Sequence, residues 1–262
     1  MSKKLTALAV GAHPDDVEFV MAGTLSLLAR AGFEPHILTV ANGSGGTVRH
    51  TREQIIRIRR KEAQRSAEVI GATHHPALAD DLMVFYEDKL SRMATAVVRE
   101  VAPAIVLLPS LNDYMEDHMI SGRLIATACF VRGIKNYISM PPRKATMQDV
   151  YLYHAQPAGN RDGMRNLVVP SLFVDISSEI ETKEEMLRRH ASQKEWLDAS
   201  QGMDSYLAAM RDACSEVARL SGRKSVKYAE GFRQHSHLGY SAQDRDPLSE
   251  ALGKKVTRGK KG

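Results

Sequence analysis

The chain has 262 residues, of which 43% are hydrophobic and 26% are charged, and its formal net charge is +5. This length and apolar fraction suit one α/β domain with a full core and disfavour two equal domains. No run approaches the roughly 18 apolar residues that a membrane span requires, and the opening segment MSKKLTALAVGAHPDD has no small-residue cleavage site. We therefore expect a cytoplasmic protein without a membrane span.

The last ten residues, GKKVTRGKKG, account for the whole excess charge, because they contain five lysines or arginines and no acid. A basic terminal segment rich in Gly and Lys is typical of a disordered tail rather than of a nucleic-acid-binding face. We predict a single domain over residues 1–250, a disordered basic tail over residues 251–262, and no nucleic-acid partner. Cys129 and Cys214 lie in helical patterns without paired spacing and are expected to be buried.

Strands and helices are predicted to alternate along the first half of the chain. The apolar run LTALAVGA predicts a buried strand, followed by a polar turn, a helix stopped by Gly32, and a second strand that enters a glycine loop, PHILTVANGSGG. Helices near residues 51–70 and 89–101 precede a third strand, AIVLLPS. This order predicts an α/β fold with a Rossmann-like, doubly wound, mainly parallel sheet flanked by helices, which binds ligands at the carboxyl ends of its strands.

The second half of the chain is more mixed. After the helix SGRLIATACFVRG come two strand-like runs, DVYLYHAQP and SLFVDIS, and then helices near residues 179–199 and 204–220. The final segment, YAEGFRQHSHLGY, is predicted to be irregular.

The segment AVGAHPDDVEF places an imidazole and two carboxylates directly after the first strand. Because two neighbouring anions repel each other and lose hydration, folding alone gives little reason for the pair Asp15 and Asp16. His13 and Asp16 are three residues apart around Pro14 and can converge on one zinc or similar divalent ion, which leaves Asp15 free to act on water. The alternative is that Asp15 or Asp16 caps the helix that follows.

A second polar cluster, NDYMEDHMISGRL, follows the third strand. His118 is the natural third ligand, since a catalytic zinc usually has three protein ligands and one open position. Asp117 could cap the next helix, and spacing alone favours that role.

Together these motifs resemble the opening of the PIG-L/LmbE-like deacetylases, which are zinc-dependent enzymes acting on N-acetylglucosamine-type amides. The resemblance rests on GAHPDD, MAGTLSLLARAG and VANGSGG, and continues through RIRRKEAQRSAEVIGA, NDYMEDHMISGRL, HASQ and YAEGF.

The resemblance implies an LmbE-like fold and a zinc ion, or another divalent transition metal, bound by His13, Asp16 and His118. It implies that metal-bound water attacks the amide of an N-acyl sugar with Asp15 as general base, and that Arg59 binds substrate oxygens. The competing interpretation of Arg59 is an exposed arginine, because RIRRKE holds three arginines in four positions. The resemblance also makes a homo-oligomer plausible.

One departure from the family pattern concerns Met115. Family members commonly have His-Pro-Asp-His where this chain has Met115-Glu116-Asp117-His118, and a thioether cannot donate a hydrogen bond to an oxyanion. Losing such a donor typically costs about a hundred- to a thousandfold in turnover. Tyr114 is the nearest replacement donor, and His235 or His237 could also reach the site. We therefore expect Asp15, Asp117 and Tyr114 to be catalytic, and keep as the alternative an altered family member that binds metal or ligand without turnover.

Overall fold

The computed structural model describes residues 4–193, 196–197 and 206–259, which form one sheet covered by helices on both faces. The strands are β1 Thr6–Gly11, β2 Glu34–Thr39, β3 Thr73–His75, β4 Ile105–Leu108, β5 Tyr151–Ala155, β6 Leu172–Asp175, β7 Ala229–Gln234 and β8 Val256–Arg258. The helices are α1 Asp16–Val20, α2 Ala22–Arg30, α3 Arg52–Glu68, α4 Asp88–Val101, α5 Glu116–Val131, α6 Ile180–Arg188, α7 Tyr206–Leu220 and α8 Pro247–Leu252.

The eight strands are ordered β3-β2-β1-β4-β5-β7-β6-β8. The first five are parallel, whereas β7, β6 and β8 extend the sheet in antiparallel fashion. The predicted α/β architecture with a mainly parallel sheet is confirmed, and the three antiparallel strands at one end make the sheet as a whole a mixed one. In the described part of the chain, no helix combines the length and apolarity needed to cross a bilayer.

Strand β1 lies at the centre of the core because its side chains are apolar on both faces. Ala7 and Ala9 face one cluster with residues of α1, α2, α6 and α7, while Leu8 and Val10 face a second cluster with residues of α4 and α5. This explains why the sequence is continuously apolar here and does not alternate.

Two sequence interpretations in the second half are wrong. The segment predicted to be irregular contains β7, whose register pairs Phe232 with Leu172 of β6 and with Ala155 of β5. The helix predicted for residues 179–199 ends at Arg188, where the chain turns and buries His190 with its Nε2 3.2 Å from Glu18 Oε1. Residues 191–193 and 196–197 are helical again, whereas residues 194–195 and 198–205, which include part of that predicted helix and the start of the next predicted one, lie outside the described residues.

The segment predicted to be a disordered tail, residues 251–262, instead has secondary structure as far as Arg258. Val256–Arg258 form β8, which pairs with β6 at the edge of the sheet, and Arg258 Nη2 lies 2.9 Å from Asp246 Oδ2. Arg258 therefore lies on an edge strand, where charge discourages pairing with other chains. Residues 260–262 lie outside the described part.

Candidate active site

Three loops meet at the carboxyl edge of the parallel strands. Residues 13–16 follow β1, the glycine loop at residues 42–46 follows β2, and residues 109–118 follow β4. Because β2, β1 and β4 are neighbours in the sheet, these loops converge where strand order reverses, which is the usual ligand position in such folds. They line a cavity of about 350 Å³.

His13, Asp16 and His118 come together in this cavity. One potential ligand atom of each lies within 4.8 Å of the other two. Asp16 Oδ2 is 3.6 Å from His13 Nδ1 and 3.6 Å from His118 Nε2. Two imidazole nitrogens and one carboxylate are a donor set suited to zinc or a similar divalent transition metal, so the residues present fit the ion that the sequence predicts.

A carboxylate lies behind each of the two histidines. Asp117 Oδ2 is 3.0 Å from His13 Nε2 and also accepts a hydrogen bond from the Leu82 N–H at 2.8 Å. Asp113 Oδ1 is 3.0 Å from His118 Nδ1. Such carboxylates fix the ring orientation and tautomer of metal-binding histidines, leaving His13 Nδ1 and His118 Nε2 to face the centre.

None of the three site aspartates Asp15, Asp16 and Asp117 caps a helix through its side chain, contrary to the capping roles suggested by the sequence. Asp15 is the N-cap residue of α1, but its side chain makes no capping bond, and Asp16 Oδ2 accepts a hydrogen bond from the His13 N–H at 2.7 Å. The N-cap residue of α5 is Met115, and the Asp117 carboxylate is turned away toward His13. Sequence spacing suggested capping because it shows only that Asp117 is near the start of a helix. It does not show that His13, from the loop after another strand, lies within 3.0 Å of the Asp117 carboxylate.

The electrostatics of the triad favour an added positive charge. Burial opposes protonation of His13, but hydrogen bonds with Asp117 and Asp16 outweigh it and raise the His13 pKa to about 10. Burial likewise opposes ionisation of Asp16, yet the charges of His118 and His13 hold its pKa below the ordinary value. The carboxylates around the two histidines therefore create a negative potential that favours a bound cation.

Asp15 is held beside the triad in a strained conformation. Its φ of 118° is rare for a residue with a side chain, and such strain persists only where surrounding contacts enforce it. Arg59 Nη2 donates to Asp15 Oδ1 at 3.3 Å and to the Pro14 carbonyl at 2.6 Å, and the Tyr206 hydroxyl donates to Asp15 Oδ2. Burial and the nearby Asp16 charge raise the pKa of Asp15 to about 6, although the Arg59 charge lowers it.

The loop after β2 requires glycines because its backbone passes directly over the side chain of Arg59. A Cβ at Gly43 would lie 2.5 Å from Arg59 Cδ, and one at Gly46 would lie 2.7 Å from Arg59 Nη1. Arg59 is therefore buried, with 2% of its surface exposed, and is not the exposed arginine that the competing interpretation required.

Tyr114 and Met115 line the same cavity wall beside His118. The Tyr114 side chain is 61% exposed, and its ring contacts that of His118 edge-on at a centroid distance of 5.5 Å. The two histidines suggested as replacements for a donor at Met115 do not line the cavity. His235 Nδ1 lies 2.9 Å from His154 Nε2, and His237 lies 3.5 Å from Asp244.

The sequence did not single out two residues that contact Asp15 and His118. Tyr206 reaches Asp15 from the start of α7, 191 positions away, and no local pattern marks it. Asp113 was visible as one of several polar residues after β4, and its position five residues before His118 was the available signal.

Parts of the chain are similar to known proteins. Residues 8–129 match the family model of GlcNAc-PI de-N-acetylase, PIG-L. A diacetylchitobiose deacetylase of Thermococcus kodakarensis is 27% identical over 238 residues, covering 86% of this chain and 81% of that protein. A 4-oxalmesaconate hydratase of Pseudomonas putida is 30% identical over 147 residues, covering 50% of this chain and 54% of that protein.

Two solved structures share the fold. The N,N'-diacetylchitobiose deacetylase of Pyrococcus horikoshii has a TM-score of 0.73 at 23% identity, covering 93% of this chain and 88% of that chain. The 4-carboxy-2-hydroxymuconate hydratase of Pseudomonas putida has a TM-score of 0.72 at 22% identity, covering 88% of this chain and 96% of that chain. The family match includes all three residues of the His13, Asp16 and His118 triad. The chain therefore carries a PIG-L family domain over residues 8–129.

Proposed function

We propose that this protein is a zinc-dependent N-deacetylase that hydrolyses the amide of an N-acetylglucosamine-type sugar or conjugate. The observation that carries the proposal is the convergence of His13, Asp16 and His118 in a cavity with the Asp15 carboxylate beside them. The similarity to a diacetylchitobiose deacetylase over most of both chains supports a sugar amide as substrate.

The metal site is proposed to consist of His13 Nδ1, an Asp16 carboxylate oxygen and His118 Nε2. Zinc bound there would supply Lewis-acid chemistry, polarising the carbonyl and lowering the pKa of water from about 15.7 to near 7. Asp117 and Asp113 are positioning residues in this proposal, because they contact the histidines and Asp117 does not line the cavity.

Asp15 is the proposed general base. It accepts a proton from the water that attacks the amide carbon and returns a proton to the departing amine, so that acetate and a free amine leave. Both carboxylate oxygens already accept one hydrogen bond, from Arg59 and from Tyr206, and each retains a further lone pair for water. These two donors orient the base.

Arg59 and Tyr114 are the proposed substrate contacts. Arg59 lines the cavity, and because its Nη2 is shared between Asp15 and the Pro14 carbonyl, a sugar oxygen would bind the guanidinium beside Asp15. Tyr114 lines the wall beside His118, and its hydroxyl is the proposed donor to the oxyanion in place of a side chain at Met115.

The test is acetate release from a panel of N-acetylglucosaminides by metal-loaded protein, compared with Asp15→Asn and with the control Asp88→Asn on the exposed start of α4. We expect release by the wild type and the control, and a loss of at least about a hundredfold in Asp15→Asn. Equal release by Asp15→Asn would contradict the proposed base.

Met115 supports a second candidate, a family member that binds metal or ligand but has lost turnover. Zinc content would be the same for both candidates, so product formation separates them. No release by the wild type, together with release by Met115→His, would favour this second candidate.

A further inference from the structure

Arg233 of β7 is a half-buried arginine that no described carboxylate neutralises. Its Nη2 donates to Ser110 Oγ at 2.8 Å, and its buried Nε has no acceptor among the described residues. Burial lowers the Arg233 pKa with no opposing contribution from a carboxylate, although a guanidinium stays charged in proteins. By contrast, Arg211 is paired with both Glu181 and Glu184. Arg233 thus carries a positive charge without a counter-ion.

The position of Arg233 brings this charge to the edge of the cavity. Arg233 pairs with His154 across the ladder between β5 and β7, next to the loop that follows β4. Ser110 belongs to that loop and lines the cavity. Since Ser110 Oγ donates its own proton to the Asn112 carbonyl at 2.7 Å, it acts toward Arg233 as an acceptor. The guanidinium therefore lies one hydrogen bond from the cavity wall.

The groups around Arg233 supply no negative charge. His154 Nδ1 contacts the Pro109 carbonyl at 2.9 Å, and its Nε2 contacts His235. Burial lowers the pKa of both imidazoles, so both are neutral near pH 7. The carboxylates that line the cavity are those of Asp15, Asp16, Asp81 and Asp113, and none of them contributes to the Arg233 pKa.

We propose that Arg233, held in position by Ser110, forms an anion subsite at the edge of the cavity, which takes a phosphate or carboxylate group carried by the substrate. A guanidinium offers a planar fork of N–H donors that matches both groups, and half-burial strengthens the interaction. The identity of the substrate as an N-acetyl sugar rests on the proposed function, whereas binding of the anion does not.

The first test is calorimetric titration of the metal-loaded protein with inorganic phosphate. We expect Arg233→Gln to weaken phosphate binding by about tenfold to a hundredfold, the loss of one charge-assisted contact. Arg65→Gln, on an exposed position of α3, removes the same charge elsewhere and should leave phosphate affinity unchanged. Equal affinity in Arg233→Gln and wild type, or no phosphate binding at all, would overturn the subsite and leave Arg233 as a structural link between β7 and the β4 loop.

The second test identifies the anion. KM values are measured for N-acetylglucosamine, its 6-phosphate and N-acetylmuramic acid, which carries a carboxylate. Arg233→Gln should raise KM for the phosphorylated sugar, the carboxylated sugar or both by about tenfold relative to the neutral sugar. An equal change for all three would overturn the proposal.

Two further comparisons keep both tests interpretable. If Arg233→Gln fails to fold, Arg233→Lys and Ser110→Ala replace it, and each should also weaken phosphate binding. If Arg233→Gln loses phosphate affinity but the wild type hydrolyses none of the sugars, the anion subsite is supported and the proposed deacetylase function is refuted. Hydrolysis with Arg233-independent phosphate binding would do the reverse.

Discussion

Arg59 and Tyr206 hold the two oxygens of the Asp15 carboxylate, although neither is near Asp15 in the sequence. The hydroxyl of Tyr206 is the simpler of the two to remove, because Phe retains the buried ring. Tyr206→Phe should lower kcat by about tenfold with little change in KM, since one hydrogen bond to a charged group is lost. Steady-state kinetics with Tyr137→Phe as control, whose hydroxyl donates to Ser91 at 2.9 Å, measures the effect. A rise in KM alone would instead indicate a substrate contact.

Asp113 lies behind His118 as Asp117 lies behind His13, so its contribution should appear in metal binding. Asp113→Asn should weaken metal affinity by about tenfold to a hundredfold, the usual effect of removing such a partner. Competition with a chromogenic chelator gives the dissociation constant, and the exposed Asp88→Asn variant is the control. Unchanged affinity would show that the contact between Asp113 and His118 does not support the metal site.

At the scale of elements, the glycine loop depends on the absence of a side chain where it crosses Arg59. Gly43 and Gly71 both have positive φ, 79° and 67°, but a Cβ at Gly71 would meet nothing within 4 Å. Gly71→Ala should cost about 1 kcal/mol of unfolding free energy from backbone strain. Gly43→Ala should cost about 1–3 kcal/mol more from overpacking, and should lower turnover as well. Denaturant unfolding of both variants tests this, and equal losses would refute a clash with Arg59.

The edge strand β8 gives a second prediction at this scale. Deleting residues 253–262 removes β8, one of the two strands paired with β6, and the ion pair between Arg258 and Asp246. We expect a loss of roughly 1–2 kcal/mol, or a few degrees in Tm for a domain of this size. A disordered tail would leave Tm unchanged, so thermal unfolding of the truncated protein distinguishes the two cases.

At the scale of the whole molecule, a buried neutral histidine should make the fold sensitive to acid. Burial lowers the His154 pKa from 6.5 to about 4, so below pH 6.5 the unfolded chain binds a proton that the folded protein does not. Stability therefore falls as the pH drops from about 6.5 to 4, by roughly 3 kcal/mol from this residue. His154→Gln should flatten the dependence of unfolding free energy on pH in this range, whereas the exposed His50→Gln should not. An unchanged slope in His154→Gln would show that other groups cause the acid sensitivity.

The sequence by itself determined the alternating elements of the first half and the polar turns after β1 and β4. Both follow from local patterns: continuous apolar runs predict buried parallel strands, and polar residues directly after them are placed at the carboxyl edge of the sheet. His13, Asp16 and His118 could be grouped for this reason before any distance was known. The roles of metal ligand, base and substrate contact remain predictions.

Only the tertiary structure decided what surrounds those residues. Contacts between segments far apart in the chain pair Tyr206 with Asp15 and turn Asp117 toward His13. Such contacts also bury Arg59 and form the strands β7 and β8. Local propensity carries no information about such contacts, because they form only when the helices and loops pack against the sheet and each buried polar group finds a hydrogen-bond partner.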